Sequence, residues 1–241
     1  MDDIWFWIVA TVAAYYIKGL CGFANTLVFT SIMAFGANNV NISPVELVLG
    51  FPSNLVLTFK NRKKLNHKVW IPLAILVLVG SVPGALMLKN IDVTKVKIFF
   101  GIVVVLLGIE MLLREKEVLK VRESYFILMV IGIMSGVLCG LFGVGALLAA
   151  YVGRVTKSSD EFKANISAVF IVDNIFRMIL YSILGIISFS TLKSSAILMP
   201  IMLLGLFAGI KSSQILDEKK ARHLVIVLLI ISGISMVILN I

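Results

Sequence analysis

Eight apolar runs succeed one another along the chain, and two of them are too long to be single helices across a bilayer. A crossing takes about 20 predominantly apolar residues at about 1.5 Å of rise each. Ser43 to Phe59, Val69 to Leu88, Val96 to Leu113, Phe162 to Ile187, Leu192 to Ile210 and His223 to Ile241 suit that length. Ile4 to Phe35, with 32 residues, and Ser124 to Val152, with 29, do not. As straight helices they would reach roughly 43 to 48 Å. Both carry glycines near their middles: Gly19 and Gly22 in the first, Gly136, Gly140, Gly143 and Gly145 in the second. We therefore expect each to be broken or re-entrant.

Composition excludes a soluble alternative. Hydrophobic residues make up 60% of the 241, charged residues 15%, and the mean hydropathy is +1.05. Soluble domains hold about a quarter charged residues and roughly 45–50% apolar ones. The expectation is one membrane-embedded unit, a multi-pass protein of the cell membrane. The net charge of +9 does not point to nucleic acid, because the basic residues fall mainly between apolar runs, where they orient the chain and meet membrane lipids. Cys21 and Cys139 both lie inside apolar runs, so no disulfide framework, metal site or cofactor is expected. The first run follows Met1-Asp2-Asp3 without a basic region or a cleavage site, and is read as part of the mature fold.

The chain repeats itself. Gly19-Leu20-Cys21-Gly22-Phe23 recurs 121 positions later as Gly140-Leu141-Phe142-Gly143-Val144. At an offset of 125, Gly80, Gly84, Asp92, Lys95, Lys97 and Gly108 meet Gly205, Gly209, Asp217, Lys220, Arg222 and Gly233. Two tandem homologous halves follow, residues 1–120 and 121–241. If every apolar run crossed once, the loop Lys and Arg residues would divide ten against ten; if the two long runs enter and return, they divide 16 against 4. The positive-inside rule selects the second arrangement. It puts both termini outside and makes the halves inverted. The expected fold is thus an all-α integral membrane protein of two inverted repeats, each a broken or re-entrant glycine-rich first segment followed by three helices.

Broken segments at matching places in inverted halves point to a midplane site, since half-helix N-termini offer unpaired N–H groups and positive dipole ends. On that ground Gly19, Gly22, Gly140, Gly143 and Gly145 are candidate ligand-approach positions, whereas Gly80, Gly84, Gly205 and Gly209 read as helix-packing glycines. Lys18 and Arg177 are cations inside apolar runs, which is costly without a function. For Arg177 the sequence leaves two partners open, the substrate and Asp173 at i−4. Ser53-Asn54 and Asp173-Asn174 correspond at an offset of 120 and, with Asn25 and Thr26 at the first break, supply neutral hydrogen-bonding groups. Asp173 is the candidate coupling residue. Glu46 follows Ser43-Pro44 and reads as a first-turn acid at a helix start, and Glu110 as an i,i+4 partner of Arg114. The two cysteines read as ordinary buried residues.

The glycine motifs carry a resemblance. Gly19-Leu20-Cys21-Gly22-Phe23-Ala24-Asn25-Thr26 and Gly136-Val137-Leu138-Cys139-Gly140-Leu141-Phe142-Gly143-Val144-Gly145-Ala146-Leu147, with the basic stretch Lys60-Asn61-Arg62-Lys63-Lys64, make the chain similar to the TauE/SafE sulfite-exporter family, also called the toluene-sulfonate uptake permeases. Ala24, Asn25, Thr26, Ala146 and Leu147 stand where that family usually has glycines. The resemblance implies a secondary transporter of small sulfur-containing anions such as sulfite, sulfoacetate or related organosulfonates. Alternating access around a midplane anion site would carry them, with a proton or sodium ion as coupling ion and a homodimer as an open option. A channel-like anion facilitator is the alternative. An enzyme is not expected, because His67 and His223 lie near segment ends and no HExxH or GxSxG motif occurs.

Overall fold

The computed structural model describes residues 4–33, 39–90, 93–114, 125–143 and 145–215, together with nine positions between 223 and 238, all nine helical. Both overlong runs are broken. The first forms α1 (Ile4–Cys21) and α2 (Asn25–Met33), the second α6 (Tyr125–Phe142) and α7 (Ala146–Val155). Between and after them come α3 (Asn39–Lys60), α4 (His67–Asn90), α5 (Val93–Arg114), α8 (Ser159–Ile183) and α9 (Phe189–Ser212). The loop from Lys116 to Arg122, the side chain of Glu110, Asp217 to Arg222 and the other positions of the last run lie outside the described residues.

Five described helices, α1, α3, α4, α8 and α9, are long and apolar enough to cross a membrane. Their outer faces carry exposed Phe59, Ile183, Phe189 and Leu204, side chains that a bilayer solvates and water does not. One boundary differs from expectation. α3 begins at Asn39, so Pro44 falls in its second turn and Glu46 is an interior residue. Membrane helices tolerate an interior proline because neighbouring groups satisfy the freed carbonyl.

Contacts fix the directions. The rings of Trp7 and Phe29 meet edge to face at 6.0 Å, which a continuous helix would hold about 33 Å apart; α2 therefore folds back along α1. Asn165 on α8 accepts from the Asn66 N–H at 2.9 Å, while Asn174 lies 3.3 Å from where a Cβ on Gly50 would stand, so α3 and α8 are antiparallel. Leu76, Gly80 and Ala85 of α4 meet Gly132, Gly136 and Gly140 of α6 in the same order, a parallel pair. Gly205 and Gly209 of α9 meet Val12 and Tyr16 to Gly19 of α1, likewise parallel. Phe170 lies beside Gly145, at the head of α7, and Phe162 beside Gly153, so α7 returns antiparallel to α8.

Both parallel seams are closed by glycine on glycine. A Cβ on Gly140 would lie 3.0 Å from the Gly84 Cα, and one on Gly209 would lie 3.0 Å from the Gly19 Cα and collide with the Tyr16 carbonyl oxygen. The packing role expected for Gly80, Gly84, Gly205 and Gly209 is what these contacts show. Overpacking such a seam costs typically about 1–3 kcal/mol. Gly209→Ala should therefore lower the midpoint of thermal unfolding in detergent by several degrees. Gly153→Ala, whose Cβ would meet only the Phe162 ring at 3.8 Å, should leave it in place.

Candidate functional site

The two breaks are built alike. At the first, the Gly22 N–H donates to the Lys18 carbonyl at 2.7 Å and Gly22 takes φ +84°. At the second, the Gly143 N–H donates to the Cys139 carbonyl at 2.8 Å and Gly143 takes φ +70°. This left-handed turn ends each helix, and only glycine adopts it without steric cost. One position differs: Ala24 stands at positive φ, 71°, whereas Gly145, in the corresponding place, has φ −105°. The returning helices then start at Asn25 and Ala146, with their N-termini turned inward.

Between those N-termini, the end of α1 and the middles of α3 and α8 lies a small cavity. Its wall holds Lys18, Asn25, Thr26, Asn54, Asn174 and Arg177, with Gly143, Gly145, Gly50 and Glu46, and apolar cover from Phe23, Ala24, Leu27 and Phe170. Lys18 is 1% exposed and sits in the last turn of α1, where the carbonyl end of the helix dipole favours a cation. Its Nζ lies 5.9 Å from the Tyr15 ring centroid.

Arg177 is held in one orientation. Its Nε donates to Asp173 Oδ2 at 2.8 Å and its Nη2 to Asn174 Oδ1 at 3.2 Å. Asp173 in turn accepts from the Ser81 hydroxyl at 2.6 Å, which anchors the pair to α4. The third guanidinium nitrogen, Nη1, is buried with no hydrogen-bond partner among the described residues, and so is Asn54 Oδ1. Nη1 lies 3.3 Å from where a Cβ on Gly143 would stand, so the glycine leaves the space in front of the free donor empty. On the opposite wall the Asn25 amide donates to a Glu46 carboxylate oxygen, and the Tyr15 hydroxyl to the Glu46 carbonyl at 3.4 Å.

A second, roomier cavity opens at the face that carries the basic loop after α3 and the α7–α8 connection. Leu20, Cys21, Gly153, Thr156 to Ser159 and Phe162 line it. The rings of Phe23, on the central cavity, and Phe162, on this one, meet edge to face at 5.8 Å and stand between the two spaces.

The model of the sulfite exporter TauE/SafE family matches residues 7–236. The chain belongs to that family. It is thereby a multi-pass membrane protein of a transporter family rather than an enzyme family. No curated protein and no solved structure matches the chain significantly. Within this TauE/SafE chain the structure brings Lys18, Asn25, Thr26, Asn54, Gly143, Gly145, Asn174 and Arg177 to one cavity. Gly19 and Gly140 instead face the α9 and α4 seams, and Gly22 faces Lys163. The Ser53 hydroxyl donates to the Gly50 carbonyl at 2.6 Å and Asp173 stands behind Arg177, neither on the cavity wall. Of the two partners left open for Arg177, Asp173 takes Nε, and Nη1 still faces the cavity. Glu46, expected as a cap, lines the cavity from inside α3.

Proposed function

We propose that this protein is a secondary transporter of small sulfur-containing anions, sulfite, sulfoacetate or related organosulfonates, with the central cavity as the anion site. The observation that carries the reading is the unpartnered Nη1 of a buried, clamped Arg177 in a cavity that also holds Lys18. A guanidinium offers fixed donors suited to an oxyanion, a lysine adds a compact charge, and the asparagines offer hydrogen bonds without further charge. Thr26 and the half-helix N-termini of α2 and α7 add donors from the breaks. The family description, which names sulfite export, supports the class of substrate.

Alternating access is the mechanism we infer. The halves 1–120 and 121–241 are related by inversion in this reading. Its supports are the antiparallel course of α3 and α8 at equivalent positions and the matching pairs α1 with α9 and α6 with α4. The same directions put the Lys60 to Lys68, α7–α8 and Lys211 ends on one side, which the positive-inside rule assigns to the cytoplasm. The Phe23–Phe162 pair then closes the site from the cytoplasmic cavity. Proteoliposomes test carrier against channel. Uptake of radiolabelled sulfite should saturate and be accelerated by unlabelled sulfite inside; uptake that is linear in concentration and indifferent to internal sulfite would mean a channel. Cysteines introduced at Lys63 and at Lys211 should label from the same side of the membrane, and labelling from opposite sides would overturn the inverted arrangement.

A further inference from the structure

Glu46 is the only carboxylate among the described residues lining the central cavity, and anion binding alone gives no reason for it. A carboxylate in an anion site repels the ligand it is meant to share space with. It does not cap a helix, since α3 starts seven residues earlier. The titratable groups that face it are Lys18 and Tyr15 from α1, Arg177 from α8 with Asp173 behind it, and Cys139 from α6 at longer range. α2 presents Asn25 and Thr26, and the lysines of α9, Lys193 and Lys211, are exposed near its ends.

The formal charges of this buried set cancel. Lys18 and Arg177 stand against Glu46 and Asp173, all four at most 3% exposed; the further buried cation among the described residues, Lys163 of α8, lies against Gly22 and not on the cavity wall. Asp173 is committed, one oxygen to Arg177 and the other to Ser81, and it is not on the cavity wall. A monoanion that entered the balanced set would leave one uncompensated negative charge in a dehydrated space, which is costly. A proton on Glu46 removes that charge and leaves the cavity's two cations, Lys18 and Arg177, to the anion.

We propose that Glu46 is the proton-carrying group of this transporter, taking up one proton for each monoanion bound, so that the two cross together; this rests on the anion-transport reading above. The carboxylate takes the proton from water on the side to which the site is open and becomes a carboxylic acid. The anion then binds Lys18 and Arg177. When the site opens to the other side the anion leaves, the acid returns its proton to water there, and Lys18 faces a carboxylate again. For a monoanion no net charge moves.

Proteoliposomes at one mildly acid pH inside and out, where sulfite is the monoanion, test this against protein-free vesicles. Wild-type uptake should acidify the lumen by about one proton per sulfite above the protein-free level. Sulfite that Glu46→Gln carries, at whatever rate, should bring in no proton above the protein-free level, its accumulation under an imposed pH gradient should fall at least tenfold, and Glu46→Asp should recover part of that accumulation. Wild-type uptake without acidification would overturn the proposal whatever the variants do. So would Glu46→Gln that accumulates like wild type, or whose uptake still brings in one proton per sulfite. A wild-type protein that exchanges no sulfite at all would instead overturn the anion-transport reading itself.

Discussion

Gly143→Leu is expected to eliminate transport, and Gly22→Leu to do the same. Both positions take a left-handed backbone, φ +70° and +84°, that a leucine adopts only with strain. Each also has a close neighbour that a side chain would strike. The first atom of a side chain at Gly143 would stand 3.0 Å from Thr26 Cγ2 and 3.3 Å from the free Nη1 of Arg177, so the rest of a leucine would fill the space proposed for the anion. At Gly22 it would stand 2.6 Å from the Lys163 Cγ and press α8 away from the break. Sulfite uptake into proteoliposomes, with each protein checked for monodispersity, is the measurement. Gly153→Ala serves as the control and should retain near wild-type uptake. Full activity in Gly143→Leu would mean that the cavity in front of Arg177 is not the site.

Lys18→Met should weaken sulfite binding far more than it harms the fold. Methionine keeps most of the length and apolar stem of lysine but removes the charge and its donors. A hydrogen bond to a charged group contributes about 1.5–3 kcal/mol, so affinity should fall by at least tenfold. The fold should survive, because the Glu46 carboxylate left behind can take a proton rather than remain a bare buried charge. Thermal unfolding in detergent separates the two effects: the ligand-free midpoint should move by only a few degrees. A protein that unfolds far earlier but binds sulfite as tightly as wild type would make Lys18 a structural residue.

The breaks were legible because they leave two marks in the sequence, a run too long for one crossing and a glycine where the helix must end left-handed. Gly22 and Gly143 carry both marks. Gly19 and Gly140 belong to the same motifs, yet three residues earlier on a helix is close to one turn back, and that turn lies against α9 and α4. The motif alone does not separate a packing glycine from a turning one. Lys18 and Arg177 stood out because charge in an apolar run is conspicuous. Glu46 did not, since Ser43-Pro44 imitates a helix start and nothing local reports that α3 has already run from Asn39. Phe23 and Phe170 line the cavity with side chains that sequence cannot tell from core, and the clamp on Arg177 includes Ser81, 92 positions from Asp173. Only the packing of α4 on α6 and α8 brings them together.

Saturable binding of radiolabelled sulfite to the purified protein, wild type beside Lys18→Met, tests the central claim most directly. The account predicts one saturable site per chain in the wild type, displaced by unlabelled sulfite or by an organosulfonate and not by an equal concentration of chloride, and at least tenfold weaker binding in Lys18→Met. Equal saturable binding in the two proteins would contradict it, because the anion would then sit somewhere other than the cavity between the two breaks.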